Sequence, residues 1–470
     1  QTVSGGLRSL LAAAWPQLAL GAALIFLSPE PVGKTLGIVW LVGALFALPL
    51  GADLALSPAL TRENRRFLLG ECAKIWRYFD EMCTPERGFL PPDNYQEQPP
   101  VGAAERTSPT NIGLAMVSAL AALDLGAATR ERALGLIENM LRTCDALPKW
   151  RGHLYNWYDI RSLRPMEPRY ISTVDSGNLA ASLTALAAGL REYGRADLAA
   201  QALHLRDGMD FAALYDKSRR LFRIGFDAGA GRPGEGCYDL LASEARLTGY
   251  YAVAHGDVPA RHWRQLSRAL VGRDGYRGLA SWTGTMFEYL MPELFLPLSR
   301  GSLLWESARF CLYVQRRDVP DGTPWGQSES AFYSLDAALA YRYKAHGCAS
   351  LALQRGMDED TVCAPYAACL ALAVAPNSAV RDLRRFAAVD AGGRYGLWEA
   401  IDYTPRRCVA GRGEVVRCVM AHHLGMSIIS AANCLMDGVM RRRFMSEPAM
   451  AAFAPLLTER APEGAVTLRR

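Results

Sequence analysis

Two stretches near the start, residues 8–27 and 36–52, are almost free of charge and strongly apolar. Each is close to the ~20 residues that a helix needs to cross a bilayer. Between them lies a short polar turn, Ser28-Pro29-Glu30-Pro31-Val32-Gly33-Lys34. The pattern predicts a transmembrane helical hairpin over residues 1–60. Arg8 precedes it and Arg62, Arg65 and Arg66 follow it, against a single Lys34 in the turn. The positive-inside bias then puts both ends, and everything beyond residue 60, in the cytoplasm. The alternative is a helical hairpin buried in a soluble core.

From Glu63 the pattern changes to an amphipathic helical one. Phe67, Leu68, Cys72, Ile75, Trp76 and Phe79 recur near a 3.6-residue period across 64–83. A Pro-rich, non-periodic loop runs from Gly88 to Arg106. Helical patterns then recur over 111–125, 130–144, 177–193, 195–214, 239–254, 260–271, 302–316, 328–345, 360–375 and 418–437, most of them rich in Ala and Leu. Strand-like alternation is scarce, with 219–225 the main candidate. More than ten helices of about 12–18 residues, joined by loops that hold the Trp, Tyr, Asp and Glu residues, predict an all-α toroid of paired inner and outer helices; a general helical bundle is the alternative. No fixed-period repeat supports a solenoid. Residues 61–460 form this domain, and 461–470 read as the start of a linker.

Composition sharpens the picture in three places. Half of the 470 residues are hydrophobic and 21% are charged, which suits a large core with some membrane-embedded sequence. The net charge of +5 is spread without a long basic run, so nucleic-acid binding is not indicated. Eleven cysteines lack CxxC or metal-like spacing, and Cys144, Cys311, Cys369 and Cys434 fall in apolar helical stretches as small core residues. That usage points to a reducing compartment. The chain opens on Gln1 and reads as a segment of a longer polypeptide.

The chemistry sits in Gly-punctuated clusters that combine acids with aromatics. The stretch Pro320–Tyr333 carries Trp325 and Glu329, with Ser328 placed to cap a following helix. Ser281–Leu290 joins Trp282 to Glu288 within apolar sequence, where a carboxyl must be paired, protonated or at a cleft. Gly393–Pro405 sets Tyr395, Trp398 and Tyr403 around Glu399 and Asp402. Arg169–Asn178 leads into a helix that Asp175 or Ser176 would cap. Ala421–Ser427 holds the neighbouring His422 and His423, which point to different faces and so do not make a metal pair. Cleavage of a glycosidic bond needs two carboxyls, one kept protonated by an apolar site, and rings on which sugars stack. No phosphate loop, HExxH or GxSxG supports another chemistry.

These clusters, together with Thr107–Gly113, Ser172–Leu179, Asp239–Arg246 and Met440–Phe444, resemble the central region of bacterial cyclic β-1,2-glucan synthases, in order and over essentially the whole chain. The resemblance implies a membrane hairpin followed by a glycoamylase-like (α/α)6 barrel on the cytoplasmic side of the bacterial inner membrane. Neighbouring glycosyltransferase and phosphorylase-like domains would belong to the same longer chain. It implies cyclisation of linear β-1,2-glucan by retaining intramolecular transglycosylation, with an endo-β-1,2-glucanase or a non-catalytic glucan-binding spacer as alternatives. Carried over by position, Glu329 is expected as acid/base, Glu399 as nucleophile and Glu288 as the third candidate. Trp282, Trp325, Tyr395, Trp398 and Tyr403 are the expected sugar platforms, and Arg169, Asp175, Asp402 and His423 the hydroxyl contacts. The chemistry needs no metal or organic cofactor.

Overall fold

A computed structural model describes residues 3–51, 60–409 and 412–460 of the chain. The expected linker over 461–470 lies outside the described residues. The chain divides into two compact units, Gln1–Ala59 and Leu60–Arg470.

The first unit is a pair of helices, α1 (Val3–Leu27) and α2 (Pro31–Gly51). They cross at Gly21 and Gly37, where a Cβ on Gly37 would stand 2.7 Å from the Gly21 carbonyl oxygen. Trp15, Phe26, Val39 and Trp40 face outward. Among the described residues, no helix is long and apolar enough to cross a membrane.

The second unit alternates outer and inner helices in chain order. The outer ones are α3 (Arg62–Met82), α5 (Arg130–Ala146), α7 (Ala196–Asp207), α9 (Arg261–Gln265), α11 (Leu303–Arg317) and α13 (Pro376–Ala388). The inner ones are α4 (Pro109–Asp124), α6 (Thr173–Glu192), α8 (Arg246–His255), α10 (Met286–Leu290), α12 (Pro365–Leu370) and α14 (Ala421–Leu435). The division follows from sequence. Helix α4 is apolar or small on every side and buried from Pro109 through Ala122, whereas α3 and α11 carry one apolar stripe and a charged back. Around the inner ring α4 packs on α6, α6 on α8, α10 on α12, α12 on α14 and α14 on α4. Arg246 closes the gap between α8 and α10 by donating to the Tyr289 carbonyl at 3.0 Å and to Glu293 at 2.8 Å. At the α6–α8 contact a Cβ on Gly177 would fall 1.9 Å from Thr248 Oγ1, so only glycine fits.

The expected all-α character needs correction. Nine small sheets of two or three strands fill the loops among the described residues. The stretch 328–345, whose Ala and Leu content predicts a helix, is a β-hairpin: Ser330–Leu335 pairs antiparallel with Tyr341–Lys344. Its aromatic residues suit a pleated surface, and two buried carboxylates elsewhere in the chain take its backbone N–H groups. Ser328 therefore caps no helix; its hydroxyl accepts from the Phe287 N–H at 3.0 Å and from the Tyr366 hydroxyl at 2.7 Å. The other departures are smaller. Of the helix expected over 260–271 only α9 forms, followed by a strand at Leu270–Arg273, and the expected helix over 239–254 begins at Arg246. Helices α10 and α13 carry no matching expectation.

Candidate active site

Five inner helices point their N-termini into one cavity of about 360 Å³, within the range of small-ligand sites. Thr110 of α4, Asp175 and Asn178 of α6, Glu244 just ahead of α8, Phe287 of α10 and His422 of α14 line its floor. The caps that start these helices come from small hydroxyls. Ser108 accepts from the Asn111 N–H at 3.2 Å and Ser172 from the Asp175 N–H at 3.3 Å, so the cap of α6 is Ser172 and not Asp175 or Ser176. The walls are Trp157, Tyr341 and Tyr343, with Glu329 at the base of the 330–344 hairpin.

Four carboxylates line this space, Asp93, Asp175, Glu244 and Glu329, and they divide into two kinds. Asp93 accepts from Asn111 at 3.0 Å and from Arg106 at 3.2 Å, while Arg106 lies 4.6 Å from the Trp157 ring. Asp175 accepts from Thr110 Oγ1 at 2.6 Å and from the Asn156 amide at 3.0 Å, whose oxygen takes the Trp157 indole N–H. Both are held by donors. Glu244 and Glu329 are not. No side-chain donor reaches Glu244 among the described residues, and Glu329 receives only the Tyr343 hydroxyl at 3.4 Å. Burial pushes the Glu329 carboxyl up to about 7, with the negative charge of Glu288 adding to it. Burial also holds Glu244 well above the usual carboxylate range, and the Glu329 charge adds to that. Near neutral pH this pair keeps a proton that an exposed glutamate would have lost.

Behind Glu329 stands a stacked wall. The His423 ring lies on Tyr366 at 3.6 Å and 7°, and Tyr366 donates to Ser328 Oγ and, at 2.9 Å, to the Glu329 carbonyl. His423 Nδ1 sits 2.8 Å from Glu399 Oε1. Burial pulls both His422 and His423 down to about 3, so both imidazoles are neutral in the working range.

Of the residues expected from sequence, Glu329 and Asp175 line the cavity. The others lie elsewhere. Glu399 is buried beside a second, smaller pocket of about 40 Å³ lined mainly by apolar side chains. Its Oε1 also accepts from the Ala331 N–H at 3.3 Å, and burial raises its carboxyl to about 8. Asp402 accepts from the Tyr333 N–H at 3.1 Å, from the Thr404 N–H and from Arg407. Glu399 and Asp402 thus hold alternate residues of the strand that follows Glu329, and they position it without reaching the cavity. Glu288 is spent on a capping box at the start of α10, where Ser281, Trp282, Thr283 and Thr285 direct six donors at it.

The expected platforms are equally displaced. Trp325 is buried, with the Arg316 guanidinium 5.4 Å from its ring and its N–H on Asp382. Tyr395 is buried edge-on to Tyr78 and Tyr95 and donates to Glu81. Trp398 lines the small apolar pocket. Tyr403 is half-buried over Gly413. Trp282 is 58% exposed outside the cavity, and Arg169 is exposed and paired with Glu167. His423 contributes to the wall, while its neighbour His422 meets the cavity. Sequence reasoning missed Glu244, Asp93, Trp157, Tyr341 and Tyr343. Glu244 carries a signal, as an acid among small and apolar residues ahead of a helix (Leu-Ala-Ser-Glu-Ala). The Tyr341 and Tyr343 alternation is the other.

Fold and site together define a glycoside-hydrolase-like (α/α)6 barrel. Residues 237–448 match the Glycoamylase family. An endo-β-1,2-glucanase from Chitinophaga pinensis, in complex with sophorotriose and glucose, superposes with a TM-score of 0.68 at 15% identity, over 85% of this chain and 99% of that one. An endo-β-1,2-glucanase from Talaromyces funiculosus, with β-1,2-glucan bound, does so with a TM-score of 0.64 at 14% identity, over 86% and 92%. In sequence, the chain is 35% identical to cyclic β-(1,2)-glucan synthase NdvB of Rhizobium meliloti across 83% of its length. It spans 18% of that relative. The resemblance read from the sequence therefore holds: the chain is similar to part of a cyclic β-1,2-glucan synthase, and its residues 237–448 to the Glycoamylase family.

Proposed function

We propose that the barrel processes β-1,2-glucan and closes the linear chain into a ring by retaining transglycosylation, as one domain of a longer synthase. The observation that carries this reading is the pair Glu244 and Glu329, two carboxyls left short of donors in a cavity walled by Trp157, Tyr341 and Tyr343. Among the described residues the lining offers one Lys or Arg cation, Arg106, and that is already engaged by Asp93. Such a surface suits a neutral polyhydroxyl chain and not a phosphate or another polyanion.

The environments support a division of roles. Glu244, without a side-chain donor among the described residues and held well above the usual carboxylate range by burial, is the acid that protonates the departing glycosidic oxygen. Glu329, whose ionised form the Tyr343 hydroxyl stabilises, attacks the anomeric carbon. This exchanges the acid/base role expected for Glu329 and replaces Glu399 as its partner. In the second step the Glu244 carboxylate takes the proton from the hydroxyl at the chain's far end, which displaces Glu329 and closes the ring. Holding that hydroxyl at the site raises its effective concentration over water. The helical hairpin of the first unit is proposed as the membrane attachment, with the barrel on the cytoplasmic side.

Linear β-1,2-glucan incubated with the protein should give cyclic products. Only shorter linear products would make it an endo-hydrolase, and unchanged glucan would leave a binding module. Trapping the glycosyl-enzyme and mapping it by peptide mass should mark Glu329; a label on Glu244 would reverse the two roles.

A further inference from the structure

The 330–344 hairpin has two unlike faces. Phe332 looks inward, 5.3 Å from the His346 ring, with the Arg407 guanidinium 4.8 Å from its own. The opposite face is open. Ala331 pairs with Tyr343 and Leu335 with Tyr341, which sets Tyr341, Tyr343 and Leu335 on one side of the ribbon. Tyr333 joins them, its ring 6.2 Å from that of Tyr341 and tilted by 40°. Tyr343 touches Glu329 inside the cavity; Tyr341 lines the same cavity; Tyr333, 41% exposed, lies beyond its lining and makes no side-chain hydrogen bond among the described residues.

The ribbon is built to stay in place. At its tip Asp336 accepts from the Ala338 and Ala340 N–H groups, and Gln96 donates to the Leu339 carbonyl at 2.7 Å while accepting from the Tyr341 N–H at 2.9 Å. At its base Glu399 and Asp402 hold Ala331 and Tyr333. Tyr343 and Tyr341 thus lie two residues apart on one strand, about 7 Å along it, and the Tyr333 ring lies 6.2 Å from that of Tyr341 across the ribbon, where the register shifts between Ala331 and Leu335.

We infer that this open face is an outer glucan-binding track, on which Tyr333 takes a sugar ring of the chain beyond the cavity. The inference rests on the glucan reading above. The occupant follows from continuity: the rings that wall the cavity and the ring outside it belong to one face of one ribbon, and an aromatic face offers the apolar side of a sugar a partner without fixing its sequence. A chain that must return to its own far end needs such a hold outside the reacting site.

The test compares the whole protein with Tyr333→Ala and Tyr333→Trp, on a linear β-1,2-glucan much longer than the cavity and on a short oligosaccharide that fits inside it. Tyr333→Ala leaves the backbone N–H on Asp402, so the fold should hold. The expected result is a KM for the long glucan raised roughly five- to tenfold, with kcat and the short-substrate kinetics within about twofold, and restoration by Tyr333→Trp. Equal loss on both substrates, or no change on the long one, overturns the track. So does a change in self-association by light scattering with sugar kinetics untouched, which would make the face a protein contact. If the wild type turns over neither substrate, the functional reading fails; calorimetric titration of the same two glucans against wild type and Tyr333→Ala then decides the track by itself.

Discussion

Glu288 and Glu329 look alike in sequence and differ in every physical respect that matters. Each follows a tryptophan within a few residues, in a stretch with further aromatics close by. Glu288 accepts from Ser281, Trp282, Thr283 and Thr285 and locks the turn that starts α10. Glu329 has one long hydrogen bond from Tyr343 and opens onto the cavity. A carboxylate surrounded by donors is engaged in holding its turn, and one short of donors in a cavity is a candidate for chemistry. The contrast shows that apolar company alone does not identify a catalytic acid. The supply of N–H and O–H groups does.

The largest effects should separate the two directly. Glu329→Gln and Glu244→Gln should each lower kcat by about 10²–10⁴-fold with the melting temperature unchanged or raised. Retained turnover in either would remove that residue from the reaction. Glu288→Ala should do the reverse. Stranding its donors should cost on the order of 2–4 kcal/mol in chemical denaturation, while kcat per folded molecule stays near wild type.

Glu399 gives the comparison a pH axis. Burial raises its folded carboxyl to about 8 against an ordinary 4.5. Between those values the unfolded chain has released the proton and the folded chain keeps it. The folded state then binds more protons, so this group makes stability fall as pH rises across the window. Glu399→Gln should flatten the decline of melting temperature between pH 5 and 8, and a slope equal to wild type would refute the assignment. Smallest of all, Trp282→Ala should change stability by no more than about 0.5 kcal/mol and leave turnover within about twofold, because the side chain is exposed away from the cavity.

The tests also mark how far the sequence could be read. The apolar runs that became α4, α6 and α14 were legible, because a helix buried on all sides must be apolar or small on all sides. So were the outer helices α3, α5 and α11. The 330–344 hairpin was not. Leu335, Ala338 and Leu339 carry helix propensity, and the acceptors that hold the strand, Glu399 and Asp402, come from nearly seventy residues further along. For the same reason Glu399 reads as a reagent from sequence, while in the structure it accepts from the Ala331 N–H and lies outside the cavity lining. Glu244 lies in a segment that carries the resemblance but is not singled out from it, because its lack of donors shows only in the assembled cavity.

What the sequence determined by itself was most of the helices of the ring and the supply of acids and aromatics to the loops, since periodicity and composition are local properties. What the tertiary structure decided was which acids stand free. Donors from distant segments, Tyr333 onto Asp402 and Ala331 onto Glu399, set this in part, while those on Glu288 come from its own turn and almost none reach Glu244 and Glu329. Whether a carboxyl can do chemistry is set by its burial and its partners, and neither exists until the ring of helices has closed.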